Sequence, residues 1–198
     1  LQVDYLDLYF CHRPDLNTPI VETVAAMTDL VRQGKILYWG TSEWTARDIA
    51  LAHAAAMRDN LVAPVMEQPQ YNLFTRECFE VDYSRLYKEV GLGTTVWSPL
   101  SRGELVGHYL EEKGGKFVVS KQGNAWLKKA GLPSGYEARV KQVAAFACIA
   151  RELEITPARL ALAWVLKNSN VTTAILGASN ANHLKENLKA IGCLLYTS

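Results

Sequence analysis

Paired cysteines are missing from this chain. Its four, Cys11, Cys78, Cys148 and Cys193, lie far apart, so the close spacing that holds a zinc or iron–sulfur centre is absent. Thinly spread thiols suit a reduced, cytosolic protein. Charge of one sign is also lacking: 21 Lys and Arg face 20 Asp and Glu, a formal net charge of +1. Such a surface has no field to recruit nucleic acid or an anionic membrane. No apolar run reaches the roughly 18 residues a membrane span needs, so no membrane insertion is expected. There is no G-x-G-x-x-G fingerprint, which removes support for a doubly wound dinucleotide site. The chain has no initiator Met and no signal-peptide pattern, and it opens almost inside a strand. A preceding part of the protein is therefore expected before Leu1.

What is present is an alternation of strand and helix. The opening run, Asp4 to Cys11, is apolar and aromatic, and His12 with Arg13-Pro14-Asp15 ends it abruptly. Runs of this kind that stop at a proline read as buried strands. Ile20 to Gln33 has apolar residues at helical spacing, with Glu22 in the first turn and Gly34 as the stop. Further strands are predicted at Ile36–Ser42, Pro64–Gln68, Gly93–Trp97 and Val171–Leu176. Helices are predicted at Trp44–Asn60 with Thr45 as cap, Tyr83–Val90, Glu137–Glu154 and Ala158–Asn168 behind Thr156-Pro157, and after Asn180 through Ile191. Residues 101–135 are Gly- and Lys-rich and weakly periodic, the pattern of a long functional loop. Crossovers of roughly 30 residues allow parallel pairing, so the class is α/β. Five strands fit either an open doubly wound sheet or the larger part of a barrel, and periodicity does not decide between them.

The strand ends carry the chemistry. His12, Ser42, Gln68 and Trp97-Ser98 all sit at carboxyl tips of predicted strands, where parallel α/β folds place their sites. Singly, each has an ordinary reading: a structural histidine, a helix cap, a loop bridge, a core aromatic. Four consecutive strands delivering hydrogen-bonding or stacking groups to one edge favour a ligand site. The turn Gly177-Ala178-Ser179-Asn180 adds a second signal. Small residues at a helix start let backbone N–H groups approach an anion.

These residues lie in stretches that resemble the aldo-keto reductase family, in its branch of voltage-gated potassium channel beta subunits. The matching stretches are LDLYFCHRPDLNTPIVETVAAM, GKILYWGTSEW, EQPQYNLFTR, TTVWSPLSRGEL and TAILGASNANHLKENLKAI. The resemblance implies a (β/α)8 TIM barrel, of which this chain would run from the fourth strand to the helix after the eighth. Residues 1–192 would form the carboxyl-terminal part of one reductase domain, and 193–198 a tail that departs from the family. The family reduces aldehydes and ketones with NADPH. Carried over, His12 matches the catalytic residue that helps hold the carbonyl oxygen, where animal channel subunits often carry Asn. Ser42 and Gln68 match the groups on the nicotinamide carboxamide, and Trp97 the ring that stacks on the nicotinamide, a contact worth about 1 kcal/mol beyond burial. Ser98, Pro99, Leu100 and Ser101 match the loop along the pyrophosphate. Gly177, Ser179, Glu186 and Asn187 match the adenosine and 2′-phosphate end, where His183 also stands as a cofactor-binding candidate in place of the usual Gln or Arg. Lys121 would restore a positive charge in the long loop. Glu43, Arg102, His108 and His183 depart from the usual family residues. The general-acid Tyr with its Lys and Asp would lie on strands upstream of Leu1. The resemblance also implies a small carbonyl substrate, a cytoplasmic homo-tetramer, and possible docking on a channel's cytoplasmic domain. In that second role the protein would sense the cofactor with little turnover.

Overall fold

The computed structural model of the chain describes residues 2–123, 125, 136–178 and 180–193. They divide into two compact units, drawn from Leu1–Trp97 with Asn168–Ile175 and from Ser98–Lys167 with Leu176–Ser198.

In the first unit, β1 (Leu6–Cys11) leads through α1 (Ile20–Arg32) to β2 (Ile36–Thr41), and α2 (Ala46–Asp59) leads on to β3 (Met66–Glu67). A turn of π-helix (Cys78–Asp82) and α3 (Ser84–Glu89) then lead to β4 (Gly93–Trp97). Helix α2 starts where its local chemistry says it should. Asp48 N–H donates to the Thr45 hydroxyl at 3.1 Å, capping α2, and Asn60 ends it in the left-handed region. Parallel pairs run β1–β2, β2–β3 and β3–β4, and β4 pairs in parallel with a further strand at Thr173–Ile175. The five strands thus form one parallel sheet.

The helices cover that sheet through a core of Val24, Ile36, Trp39, Trp44, Ile49, Ala52, Ala56, Tyr83, Leu86 and Leu92. Trp39 is fully buried, and its indole N–H donates to Val62 O at 3.0 Å. Thr28 is buried too, donating to Val24 O and accepting from Val62 N. These polar groups are satisfied, as burial demands. The two edge strands carry exposed apolar side chains, Leu8 and Tyr9 on β1 and Ile175 on the last strand.

Met66–Glu67 is shorter than the predicted Pro64–Gln68 strand. Pro64 and Pro69 lack N–H groups and bracket it, although Val65 N still donates to Trp39 O and Gln68 N to Thr41 O. The predicted Tyr83–Val90 helix is preceded by the π-helical turn, which sequence reasoning missed.

The second unit corrects the reading of 101–135 as one long loop. A 3-10 segment (Ser101–Val106) precedes a hairpin of β5 (Leu110–Lys113) and β6 (Lys116–Val119). Its two-residue turn, Gly114-Gly115, has φ of +57° and +77°, the mirror-image geometry that suits hairpin twist. Two strands are therefore added to the predicted five, the last of the parallel sheet becoming β7 (Thr173–Ile175). Helix α4 (Tyr136–Glu152) holds the hairpin through Arg151, which sits 5.5 Å from the Phe117 ring and 2.7 Å from Glu112. Helix α5 (Pro157–Lys167) supplies the apolar centre with Leu160, Ala161, Leu162 and Val165, while α6 (Ala181–Leu188) and a short 3-10 turn (Lys189–Gly192) end the described chain. Among the described residues, no helix is long and apolar enough to cross a membrane.

Candidate active site at the carboxyl edge of the sheet

Because β1 to β4 are parallel and adjacent in chain order, their carboxyl ends lie along one edge. His12 follows β1, Ser42 follows β2, Gln68 follows β3, and Trp97 closes β4. The strand tips named from the sequence are therefore brought side by side within one unit.

Each tip is tied to the next. Ser42 N donates to Cys11 O at 3.0 Å and Gln68 N to Thr41 O at 2.8 Å. Ser42 is buried; its hydroxyl donates to Gln68 O at 2.9 Å and accepts from Arg13 Nη1 at 3.2 Å. The same guanidinium donates to the His12 carbonyl. Gln68 Nε2 donates to Thr95 Oγ1 at 3.4 Å, which turns its amide along the sheet edge. The His12 side chain is exposed at the start of its loop, and Trp97 is half-buried.

Two acidic residues that the sequence did not mark as site residues stand here. Glu43, with φ of +57°, accepts through one oxygen from the Trp97 indole N–H at 2.8 Å and from Gln70 N–H at 2.6 Å. Glu67 is fully buried beneath the tips and accepts from the Thr41 hydroxyl. Burial pushes its carboxyl up to about 7, while the Thr41 hydroxyl and the backbone N–H groups of Glu43 and Trp44 pull the other way. An acid beside Gln68 in an otherwise apolar strand was the available sequence signal for it. For Glu43 there was none beyond its departure from the family residue.

The second unit carries the remaining positions. After Trp97 the backbone passes through left-handed conformations at Ser98, Ser101 and Arg102, with φ of +50°, +49° and +53°. These residues form tight backbone turns: Ser101 N donates to Ser98 O at 2.9 Å and Gly103 N to Leu100 O at 3.0 Å. Pro99 is buried and Lys121 exposed. Gly177 is exposed, and a Cβ there would meet open space. Asn180 caps α6 by accepting from His183 N at 3.0 Å, and the His183 side chain is exposed. Asn187 is buried. The Glu186 carboxylate accepts from Arg159 Nη2 at 2.8 Å, Thr156 Oγ1 at 3.1 Å and Lys189 Nζ at 2.9 Å. Ser179, and the tail beyond Cys193, lie outside the described residues.

The family model of the Aldo/keto reductase family matches residues 1–197. The chain belongs to this family. Among its relatives, a "Probable voltage-gated potassium channel subunit beta" of Arabidopsis thaliana is 42% identical over 191 residues, covering 96% of this chain and 58% of the relative. The rice protein of the same name matches to the same extent. A "Putative voltage-gated potassium channel subunit beta" of Schizosaccharomyces pombe is 44% identical over 194 residues, covering 96% of this chain and 55% of the relative. The chain thus spans little more than half the length of these relatives. As a member of the aldo/keto reductases, it contributes its five parallel strands and their helices as part of a (β/α)8 barrel.

The residues present fit the nicotinamide cofactor of such a family. Gln68 offers an amide and Ser42 a hydroxyl suited to a carboxamide, and Trp97 offers an aromatic face.

Proposed function

We propose that the protein is an NADPH-dependent reductase of aldehydes or ketones, with this chain supplying the later strands and most of the cofactor contacts. The observation that carries the reading is the tip order: His12, Ser42, Gln68 and Trp97 on four adjacent parallel strands, within a family match to residues 1–197. NADPH, when bound, supplies the hydride. Trp97 would face the nicotinamide, and Gln68 and Ser42 would orient its carboxamide so that one ring face is presented. The Ser42 hydroxyl already has its proton committed to Gln68 O, so it meets the carboxamide as an acceptor. His12, exposed beside that edge, would donate a hydrogen bond to the carbonyl oxygen as negative charge develops there. Ser98–Ser101 would follow the pyrophosphate. Lys121, Gly177, Ser179, His183, Glu186 and Asn187 would hold the adenosine end. The general acid would come from the family's Tyr on a strand preceding this chain.

The test is carbonyl turnover by a protein of the relatives' length. Removing a single hydrogen-bond donor to the oxyanion should lower the rate of His12→Ala about a hundredfold. Unchanged turnover in that variant would remove His12 from the mechanism. Failure of the wild type to bind NADPH, read by energy transfer from tryptophan, would remove the cofactor assignment altogether.

The relatives' names support a second role, a beta subunit of a voltage-gated potassium channel; we propose for that role a cytoplasmic homo-tetramer that docks on the channel and senses the cofactor. Co-purification with a channel's cytoplasmic domain tests it, and absence of binding counts against it.

A further inference from the structure

We propose that the Glu43 carboxylate is a positioning group that sets the plane of the Trp97 ring; calling that ring the nicotinamide platform rests on the function proposed above. The backbone of Trp97 is fixed by its neighbours. Its N–H donates to Pro69 O at 3.0 Å, and its carbonyl accepts from Tyr71 N at 3.3 Å. Those bonds place Cα and leave the two side-chain torsions to be set by something else. The bond from the indole Nε1–H to Glu43 Oε1, at 2.8 Å, supplies that restraint. The same oxygen accepts from Gln70 N–H at 2.6 Å, so one atom ties the loop after β3 to the ring that ends β4. Both bonds are short and end on an exposed carboxylate.

The backbone at Glu43 supports this role. It is a non-glycine residue at φ of +57°, a conformation that costs of the order of 1 kcal/mol and persists where surroundings enforce it. Here the contacts around it are the two bonds its side chain accepts and its own backbone N–H, which meets the buried Glu67 carboxyl. The chemistry requires an acceptor. A glutamine retains one in its amide oxygen, an alanine has none, and an arginine brings only donors against two donors.

The test uses Glu43→Gln, Glu43→Ala and Glu43→Arg, with two readouts. In the cofactor-free protein, the Trp97 indole N–H resonance, assigned with Trp97→Phe, should move and exchange with solvent about tenfold faster in Glu43→Ala, and stay near wild type in Glu43→Gln. With NADPH added, the Kd should rise about tenfold in Glu43→Ala and further in Glu43→Arg. On a Trp97→Phe background, which has no N–H to hold, Glu43→Ala should add no further loss. A merely structural role would instead give additive losses. An indole resonance and exchange rate unchanged in Glu43→Ala would overturn the proposal, as would additivity in the double variant. If the wild type fails to bind NADPH, the cofactor reading falls, and the indole readout still decides the Glu43–Trp97 bond. If Glu43→Ala does not fold, Glu43→Gln against Glu43→Arg on the two backgrounds gives the same decision.

Discussion

At the sheet edge, Ser42, Gln68 and Trp97 each have a side-chain atom held by a named partner. The first two of those partners, Gln68 O and Thr95, belong to strands and strand ends bonded in parallel register. In the second unit the positions assigned to the adenosine end, the buried Asn187 apart, are held differently. Gly177, His183 and Lys121 are exposed, and Glu186 is engaged by a threonine and two cations of its own unit. The contrast separates two ways of preparing a site. The first fixes geometry before a ligand arrives: burial penalises any unpaired polar group at Ser42, and the exposed Glu43 holds the half-buried Trp97. The second relies on exposed groups and charge, which salt screens and which can change at little cost to the fold. The residues that depart from the family follow this division in part: His108 and His183 are exposed side chains of the second unit, while Glu43 at the sheet edge accepts two bonds of its own.

The comparison breaks most severely where strands approach too closely for any side chain. A Cβ added at Gly40 would overlap the carbonyl oxygen and Cγ of Met66, its register partner across β2 and β3. The carbonyl belongs to backbone and cannot swing aside. Gly40→Ala should therefore destabilise by about 3 kcal/mol, lowering the midpoint of a thermal melt by roughly 10 °C in a chain of this size. An unchanged melt would mean that the strand spacing relaxes freely and that the sheet edge is not pre-set.

Glu67 gives the next largest effect. Its folded carboxyl titrates at about 7 against an ordinary value of 4.5, because burial disfavours the charge. The folded state therefore binds more protons than the unfolded state between those two values. The contribution is fully present below about 4.5, is lost as pH rises through about 7, and totals about 3 kcal/mol. Glu67→Gln carries no ionisable group, so its stability in urea should lack this decline and exceed that of wild type at pH 8. Equal slopes of wild type and variant between pH 5 and 8 would show that Glu67 is already ionised in the fold.

Much of the scaffold was legible because its signals are local. Pro19 and Gly34 bracket α1, Thr45 caps α2, Thr156-Pro157 opens α5, and β4 runs from Gly93 to Trp97 as read from the sequence. The ends of those strands then placed His12, Ser42, Gln68 and Trp97 on one edge. The hairpin was missed although Gly114-Gly115 signals one, because LEEK and KFVV are only four residues each and LEEK is mostly charged. Glu43 and Arg13 were missed as partners for another reason. Their bonds reach from one strand tip to the side chains and backbone of neighbouring tips, and such partners exist only once the parallel register has formed.

The smallest effect concerns the charged cluster of the second unit and runs opposite in sign to Glu67. The bond from Lys189 first, then those from Thr156 and Arg159, holds the Glu186 carboxyl below its ordinary value. A depressed carboxyl contributes stability that is present above its unfolded pKa and lost as pH falls through the folded one. Arg159 and Glu186, 2.8 Å apart, remain partly open to solvent, so a double-mutant cycle of Arg159→Ala and Glu186→Gln should give a coupling of about 0.5 kcal/mol. Raising the salt to 1 M should shrink it, since the screening length then falls to about 3 Å. A coupling several times larger and insensitive to salt would mean that this cluster is pre-set by burial as the sheet edge is. The adenosine end would then share the rigidity of the nicotinamide end, and its departures from the family residues would have to be explained by geometry instead of charge.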